Sequence, residues 1–178
     1  MPYHADMKSR LLTKGDIDAY TVIRREMLHD SPWAFASSPE DDLASHPEAV
    51  RVWFEEPEHE VVVVDHPAGD GRLASVVGVR RETKIKFRHR ASVWGVYTTP
   101  DARGHGYGRS AMEGAIALAR SWKGVEIIGL GVSGNAPEAM GLYTSMGFVE
   151  WGVEPDCVRV GGQSYDEHYL CLKLSISE

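Results

Sequence analysis

A run of alternating glycines carries the clearest chemical signal in this sequence. It reads Arg103-Gly104-His105-Gly106-Tyr107-Gly108 and lies between a predicted strand and a predicted helix. Glycine permits backbone angles that other residues avoid, and it leaves no side chain between successive N–H groups and an approaching anion. The N-terminus of the helix adds free N–H groups and about half a positive charge. The run therefore predicts a turn that wraps a phosphate or pyrophosphate.

Two other phosphate-binding patterns do not fit this turn. The P-loop requires G-x-x-x-x-G-K-S/T and the dinucleotide fingerprint requires G-x-G-x-x-G, whereas the turn has G-x-G-x-G. A different nucleotide-binding fold, for ATP or a dinucleotide, is therefore disfavoured. Thermal stabilisation by ATP or NAD, but not by coenzyme A, would favour such a fold again.

Composition and charge restrict the class of protein. The chain has 178 residues, 43% of them hydrophobic, which suffices for one domain with its own core. Its 26 acidic and 19 basic residues give a net charge of -7, which argues against nucleic acid or an anionic membrane as the main partner. Cys157 and Cys171 lack the spacing and the ligand density of a zinc site, so no metal is predicted. Residues 1–10 lack the apolar core of a signal peptide, and no apolar run could span a bilayer, so the expected location is the cytoplasm.

Hydrophobic periodicity predicts the elements that hold the turn. Thr13 and Asp16 form a capping pattern ahead of apolar residues at helical spacing, which predicts a first amphipathic helix. Further helices are predicted over residues 47–56, 107–122 and 136–146, and strands over residues 61–64, 73–80, 91–98, 125–132, 148–153 and 168–174. Strand and helix alternate in the middle of the chain, so at least part of the sheet is expected to be parallel. Hairpins before and after this region predict antiparallel pairing there.

A second segment with a functional pattern covers residues 135–148 and reads N-A-P-E-A-M-G-L-Y-T-S-M-G-F. Asn135 is expected to cap a helix, with Glu138 completing a capping box and Gly147 ending the helix. Tyr143 lies on the apolar face of that helix, so packing in the core is one interpretation of it. Its phenol is also a proton donor, which leaves a chemical role open.

Together, the two segments resemble the GNAT superfamily, the Gcn5-related N-acetyltransferases. Arg103, Gly106 and Gly108 match the family's coenzyme A signature R/Q-x-x-G-x-G/A. Residues 135–148 look like its recurrent N-x-x-A-x-x-x-Y-x-x-x-G-F segment, and residues 30–40 are more weakly similar to the loop between the first two helices of some members. The resemblance therefore extends over most of the chain.

The resemblance implies a mixed α/β (α+β) fold, the GNAT acyl-CoA N-acyltransferase fold, with about six or seven strands in a central sheet and about four flanking helices. In this fold two neighbouring parallel strands splay apart, and the pantetheine arm of acetyl-CoA lies between them. Here these would be the third and fourth predicted strands. Gly129 and Gly131 leave the second of these strands without side chains at two positions, which would let a ligand approach closely. They would equally relieve crowding within the sheet. A single GNAT domain over residues 1–178, with its core at about 8–174, is expected.

The resemblance also implies which residues contact the coenzyme. Backbone N–H groups of the third strand would hold the pantetheine and the acetyl carbonyl, and the glycine turn would hold the pyrophosphate. The implied contacts are Val96, Tyr97, Thr98, Arg103, Gly104, His105, Gly106, Tyr107, Gly108, Arg109 and Asn135. Arg103 and Arg109 would otherwise be ordinary solvated side chains, and His105 is expected to contribute only its backbone.

Tyr143 matches the family's tyrosine that faces the coenzyme sulfur, which implies a general acid for the departing thiolate. A phenol has an ordinary pKa of about 10 and a thiol one of about 8.5, so the phenol could hydrogen-bond or protonate that thiolate. The family often places a glutamate on the first splayed strand as the base, but this strand has Ser92, Trp94 and Val96 along that stretch. The other candidates for a base are Glu82, His89, Glu126 and His168.

The function implied by the resemblance is transfer of an acetyl group from acetyl-CoA to a primary amine of a small molecule or protein. Trp33, Phe35 and Trp94 could line the acceptor pocket, because aromatic rings suit apolar or cationic amines, although core packing would explain each equally well. A non-catalytic acyl-CoA sensor or partner-binding module of the same fold is the alternative, because the strand acid is missing. Family members are often dimers, so a homodimer that pairs the final strands across a twofold axis is also compatible with the sequence.

Overall fold

The computed structural model describes residues 8–174, and within them seven strands and four α-helices are present. The strands are β1 (Arg10–Leu11), β2 (His59–Asp65), β3 (Leu73–Arg81), β4 (Arg90–Thr98), β5 (Ile127–Ser133), β6 (Val149–Val160) and β7 (Gln163–Lys173). The helices are α1 (Ile17–Asp30), α2 (Pro47–Trp53), α3 (Tyr107–Ser121) and α4 (Pro137–Ser145). Residues 1–7 and 175–178, the two ends of the predicted domain, lie outside the described residues. No helix in the described part combines the length and apolarity needed to cross a membrane.

The strands form one mixed sheet in the order β1-β2-β3-β4-β5-β7-β6. β4 and β5 are parallel, and the other neighbouring pairs are antiparallel. The predicted mixed sheet, with a parallel pair at its centre and hairpins on both sides, is confirmed.

Helices cover both faces of the sheet. β2 is rich in β-branched residues and is buried on both sides. Its alternate valines pack with α3 and α4 on one face of the sheet and with α1 and α2 on the other. Ala111, Ala115 and Ala119 line the buried side of α3, and their small side chains let that helix lie close to the sheet. The two helical layers therefore leave the ends of the central strands as the place for a site.

β4 and β5 separate at the centre of the sheet. Their described pairing consists of Arg90 with Ile127, Ala91 with Ile128 and Ser92 with Gly129. Beyond Ser92, β4 pairs only with β3, and its register shifts at a bulge where Gly95 has a φ of 58°. β5 meanwhile stays paired with β7 as far as its last residue. The predicted splay of two parallel strands is thus present and opens toward their carboxyl ends.

Three predicted element lengths were wrong. β6 and β7 extend much further and meet at Gly161 and Gly162, which both have positive φ. The predicted strand ended at residue 153, whereas β6 continues past Pro155, because an edge strand tolerates proline and this stretch contains a bulge. α2 ends earlier than predicted, at Trp53. Pro57 disfavours a helical conformation at residue 56, so the helix could not have continued past the predicted end.

An ion pair is buried between α1 and the segment that precedes α2. Arg24 donates to both carboxylate oxygens of Asp42, at 2.7 and 3.0 Å, and the two side chains are only 8% and 3% exposed. Ser45 donates a further hydrogen bond to Asp42 at 2.7 Å. Burial alone would raise the pKa of Asp42, but the hydrogen bonds from Arg24 and Ser45 outweigh it and hold that pKa below its ordinary value.

Changing Asp42 to asparagine is expected to lower the free energy of unfolding by about 3 kcal/mol, because Arg24 would keep a buried charge without its counter-charge. Urea denaturation measures this loss. Asp65→Asn is the control, since Asp65 pairs with Arg10 near the surface and such pairs contribute about 0–1 kcal/mol. Folding lowers the pKa of Asp42, so the wild type should lose this stabilisation as the pH falls below about 4. Equal free energies of unfolding for the two variants would contradict the role of the Arg24–Asp42 pair as a buried, stabilising ion pair.

Candidate active site

The glycine turn connects β4 to α3, and each of three glycines has a structural reason. Gly104 and Gly106 have φ values of 76° and 91°, in the left-handed region that side chains disfavour. Gly106 is also the N-cap of α3. A Cβ on Gly108 would lie 2.9 Å from Thr98 Oγ1, so a larger residue there would force the helix or the Thr98 side chain to shift. The free N–H groups of the first helical turn therefore open onto an exposed loop, as an anion site requires.

The side chains of the turn have different surroundings. Arg103 donates to Asp30 at 2.5 Å and to the Thr98 carbonyl at 3.0 Å, which fixes it between the ends of α1 and β4. Arg109 donates to Ser145 of α4 at 2.7 Å and is otherwise exposed. His105 is exposed, whereas Tyr107 is buried in the core. Phosphate contacts from the two arginines stay a prediction, and Arg103 would make one in addition to its two partners.

The edge of β4 that faces β5 provides backbone donors. Thr99 donates its N–H to Ala74 of β3 at 2.9 Å. Because successive N–H groups of a strand point to opposite edges, those of Val96 and Thr98 point toward β5, where the described ladder has ended. The N–H of Tyr97 points toward β3 by the same rule. The strand therefore offers two donors to the cleft where the resemblance implies three.

Tyr143 is held by the way α4 ends. Gly147 has a φ of 91°, its N–H bonds to the Thr144 carbonyl at 3.0 Å, and the N–H of Phe148 bonds to the Tyr143 carbonyl at 3.1 Å. These bonds form a Schellman motif, whose apolar contact here joins the rings of Tyr143 and Phe148 at 6.1 Å. The side chain is 4% exposed, and its hydroxyl has no hydrogen-bond partner in the described part of the chain. Burial, with a smaller contribution from the charge of Glu167, raises the pKa of this phenol, so it stays protonated at neutral pH.

The predicted capping role of Asn135 was wrong. The N-cap of α4 is Ala136, no side chain caps this helix, and the backbone N–H of Asn135 instead donates to Ser133 Oγ at 3.3 Å. Counted back seven residues from Tyr143, the asparagine of the family segment falls on Ala136, so this chain has its asparagine one position too early. Asn135 is exposed beside the cleft, and its contact with the coenzyme stays a prediction.

The glycines of β5 make room for side chains. A Cβ on Gly131 would lie 2.3 Å from Oε1 of Glu167, and one on Gly129 would lie 3.8 Å from Arg90. A side chain on Gly131 would therefore displace the carboxylate of Glu167, which leans from β7 across β5 at this point. The side chain of Glu167 thus lies above Gly131, where the sequence indicated space for a ligand, and Glu167 is not among the candidate bases that the sequence offers.

The four candidate bases named from the sequence either have a hydrogen-bonding or ionic partner or lie at the paired ends of β4 and β5. Glu82 accepts a hydrogen bond from Ser92 at 2.6 Å, close to where β4 and β5 begin to separate. His168 pairs with Glu150 at 2.7 Å. Glu126 is exposed and His89 is half-buried at the far, paired ends of the two strands.

The three candidate pocket aromatics lie in two places. Trp33 contacts the ring of Tyr165 on β7 at 6.3 Å, so the loop after α1 reaches over the last hairpin. Trp94 instead packs edge-on against Trp53 at 5.2 Å, and Phe35 packs against the same core. The structure thus does not bring the three together, and only Trp33 lies against the strand that carries Glu167.

Parallel strands that separate beside a glycine turn at a helix N-terminus are the features that the resemblance to the GNAT superfamily implies. The model of the acetyltransferase (GNAT) family matches residues 24–148, and the chain belongs to this family. A comparison with curated proteins finds no significant match.

Solved structures show the same fold. The yncA protein from Salmonella typhimurium, solved with its cofactor acetyl-CoA, has a TM-score of 0.80 at 21% identity, and the match covers 98% of this chain and 97% of that one. A phosphinothricin acetyltransferase from Sinorhizobium meliloti in complex with AcCoA has a TM-score of 0.78 at 18% identity, over 94% of this chain and 88% of that one. A ribosomal-protein-alanine N-acetyltransferase from Brucella melitensis has a TM-score of 0.76 at 22% identity, over 93% and 99%.

Proposed function

We propose that this chain transfers an acetyl group from acetyl-CoA to a primary amine of a small molecule or peptide, by direct attack of the amine on the thioester. The observation that carries the proposal is the separation of β4 from β5 next to the glycine turn. The acetyl donor is the one bound in two of the similar structures. Residues 1–178 would form one domain, because the sheet runs from residue 10 to residue 173.

The coenzyme, the acetyl carbonyl and the leaving sulfur each have a group to support them. The glycine turn and the start of α3 would hold the pyrophosphate, and the N–H groups of Val96 and Thr98 would hold the pantetheine and the acetyl carbonyl. A carbonyl held by such a donor becomes more electrophilic, and the oxyanion formed on attack is stabilised. Tyr143, protonated in its buried position, would donate to the sulfur as the C–S bond breaks. No covalent intermediate with the protein is needed.

A non-catalytic acyl-CoA sensor is the second candidate. It is favoured by the absence of an acidic residue on the stretch of β4 that borders the cleft. Such a protein would bind acetyl-CoA without turnover, and changing Tyr143 to phenylalanine would have no effect on any activity.

The test is release of free thiol from acetyl-CoA in the presence of a panel of primary amines that includes polyamines, aminoglycosides and peptides with free N-termini. We expect at least one amine to raise thiol release to a rate that saturates with acetyl-CoA. Melting curves with coenzyme A, ATP and NAD provide a parallel measurement, in which only coenzyme A should stabilise the protein. Background release with the whole panel, despite stabilisation by coenzyme A, would favour the sensor. Stabilisation by ATP or NAD alone would contradict both candidates.

A further inference from the structure

We propose that Glu167 is the catalytic residue that receives the ammonium group of the acceptor and takes its proton. This inference rests on the proposed acetyl transfer and names the base that the reaction requires. It also specifies the class of acceptor, a basic amine that arrives charged.

Glu167 lies beside the opening between β4 and β5. It is opposite Ser133, the last residue of β5, and its side chain leans back across β5 onto Gly131. In the strand order, β5 is the one strand between β7 and the opening. Gly131 has no side chain, so no side chain at this position of β5 stands between the carboxylate and that opening. A cation entering there would meet Glu167.

Glu167 and Tyr143 approach the opening from opposite faces of the sheet. Leu130 and Val132 of β5 are buried in the core with α3 and α4, where Tyr143 also lies, so Gly131 between them faces the other side. Tyr165, two residues before Glu167 on β7, contacts Trp33 on that other side. A leaving group on one side and an entering amine on the other would therefore each have one of the two groups within reach.

The carboxylate of Glu167 lacks a partner within residues 8–174, where it makes neither a hydrogen bond nor an ion pair. It is nevertheless half-buried, and burial, together with the neighbouring charge of Glu154, raises its pKa, while His168 acts in the opposite direction. Other acidic groups nearby are engaged: Glu154 accepts from the Tyr169 hydroxyl at 2.6 Å, and Glu150 pairs with His168. A partly desolvated, unpaired carboxylate is suited to accept a cation or a proton.

The proton and electron balance of the step is complete. The ammonium gives one proton to Glu167, and the free amine forms a C–N bond with the thioester carbonyl carbon. When the C–S bond breaks, Tyr143 donates to the sulfur and regains a proton, through solvent, from the nitrogen. Glu167 then returns its proton to water. Since the negative charge of Glu167 contributes to the raised pKa of Tyr143, neutralising Glu167 makes the phenol a better donor at the stage when the thiolate leaves.

The experiment compares Glu167→Gln with wild type on two acceptors. The first is the fastest primary alkylamine of the panel, and the second is the same amine with two fluorines on the carbon next to its amino carbon, which lowers the ammonium pKa enough to leave the amine mostly uncharged at a mildly alkaline pH. Both amines are assayed at that pH, where the unfluorinated amine is still mostly protonated. We expect Glu167→Gln to lower kcat/KM about a hundredfold for the first amine and less than about fivefold for the second. A purely structural role would lower both equally.

Glu150→Gln is the matched control, because it removes the same charge from the same hairpin but from a carboxylate already paired with His168. It should retain wild-type rates with both amines, and all three proteins should bind acetyl-CoA with similar affinity. An equal loss with both amines, or no loss with either, would overturn the assignment of Glu167 while leaving acetyl transfer intact. Wild-type protein that turns over no amine would instead overturn the proposed function, and this inference with it.

Discussion

Tyr143→Phe is expected to lower kcat about a hundredfold while changing the affinity for acetyl-CoA by no more than about twofold. The ring would still pack against Phe148, and the hydroxyl has no hydrogen bond to lose in the described part of the protein, so the fold should be retained. What disappears is the proton donor for the thiolate. Initial rates of thiol release at saturating substrates, together with calorimetric titration of acetyl-CoA, measure the two quantities.

Tyr20→Phe is the control for this variant. Tyr20 is also fully buried, its hydroxyl likewise has no hydrogen-bond partner among residues 8–174, and it packs against Trp53 in the core on the other face of the sheet. It should retain wild-type kcat. If Tyr143→Phe retains it too, then Tyr143 is a core residue and the leaving thiolate needs no acid from this helix.

Gly106→Val is expected to weaken coenzyme A binding about 10- to 100-fold. Gly106 has a φ of 91° at the N-cap of α3, and a β-branched residue in that conformation costs about 1–3 kcal/mol. The turn can avoid this cost only by changing its path, which would turn its N–H groups away from the pyrophosphate. Calorimetry with coenzyme A and with a fragment lacking the pyrophosphate separates the effects, because only the intact molecule should lose affinity.

Gly162→Val is the matched control for backbone strain. Gly162 has a φ of 80° and lies in the turn between β6 and β7, with open space where a Cβ would be placed. The substitution should lower the melting temperature by an amount similar to that of Gly106→Val but leave the affinity for coenzyme A unchanged. A similar loss of affinity in both variants would mean that general destabilisation, and not the shape of the phosphate turn, controls binding.

Much of the architecture could be predicted because it depends on local chemistry. The alternating glycines marked the turn, the apolar spacing of α1 and α3 marked the helices, and the strand-helix alternation predicted the parallel pair at the centre. The ends of β6 were not predictable in the same way, since the tolerance of an edge strand for proline depends on its place in the sheet. Where a strand lies among its neighbours is a property of the whole fold.

The candidate site was predictable only in part, for a similar reason. Tyr143 lies within a recognisable segment. Asn135, in contrast, comes one residue before the N-cap position of α4, which is Ala136. The sequence pattern allows for such a shift of one residue, but a helix cap does not. Glu167 belongs to no motif. It is a candidate because its side chain lies above Gly131, which is distant in sequence but lies on the neighbouring strand. The charged side chain from one strand fills the space that a glycine leaves on the next strand. This contact depends on how the two strands pair, so it cannot be predicted from local sequence.

Because the ladder between β4 and β5 is short, the stability of this protein in the cell should depend on the concentration of its acyl donor. Three residue pairs connect the two halves of the sheet along the centre of the molecule, and the pantetheine arm of an acyl-CoA in the gap would pair with the free edge of β4. Because a ligand that binds only the folded form stabilises it, the empty protein would open more often along this line. Cells starved of acyl donor would then degrade the protein faster, and its abundance would follow the metabolite that it consumes.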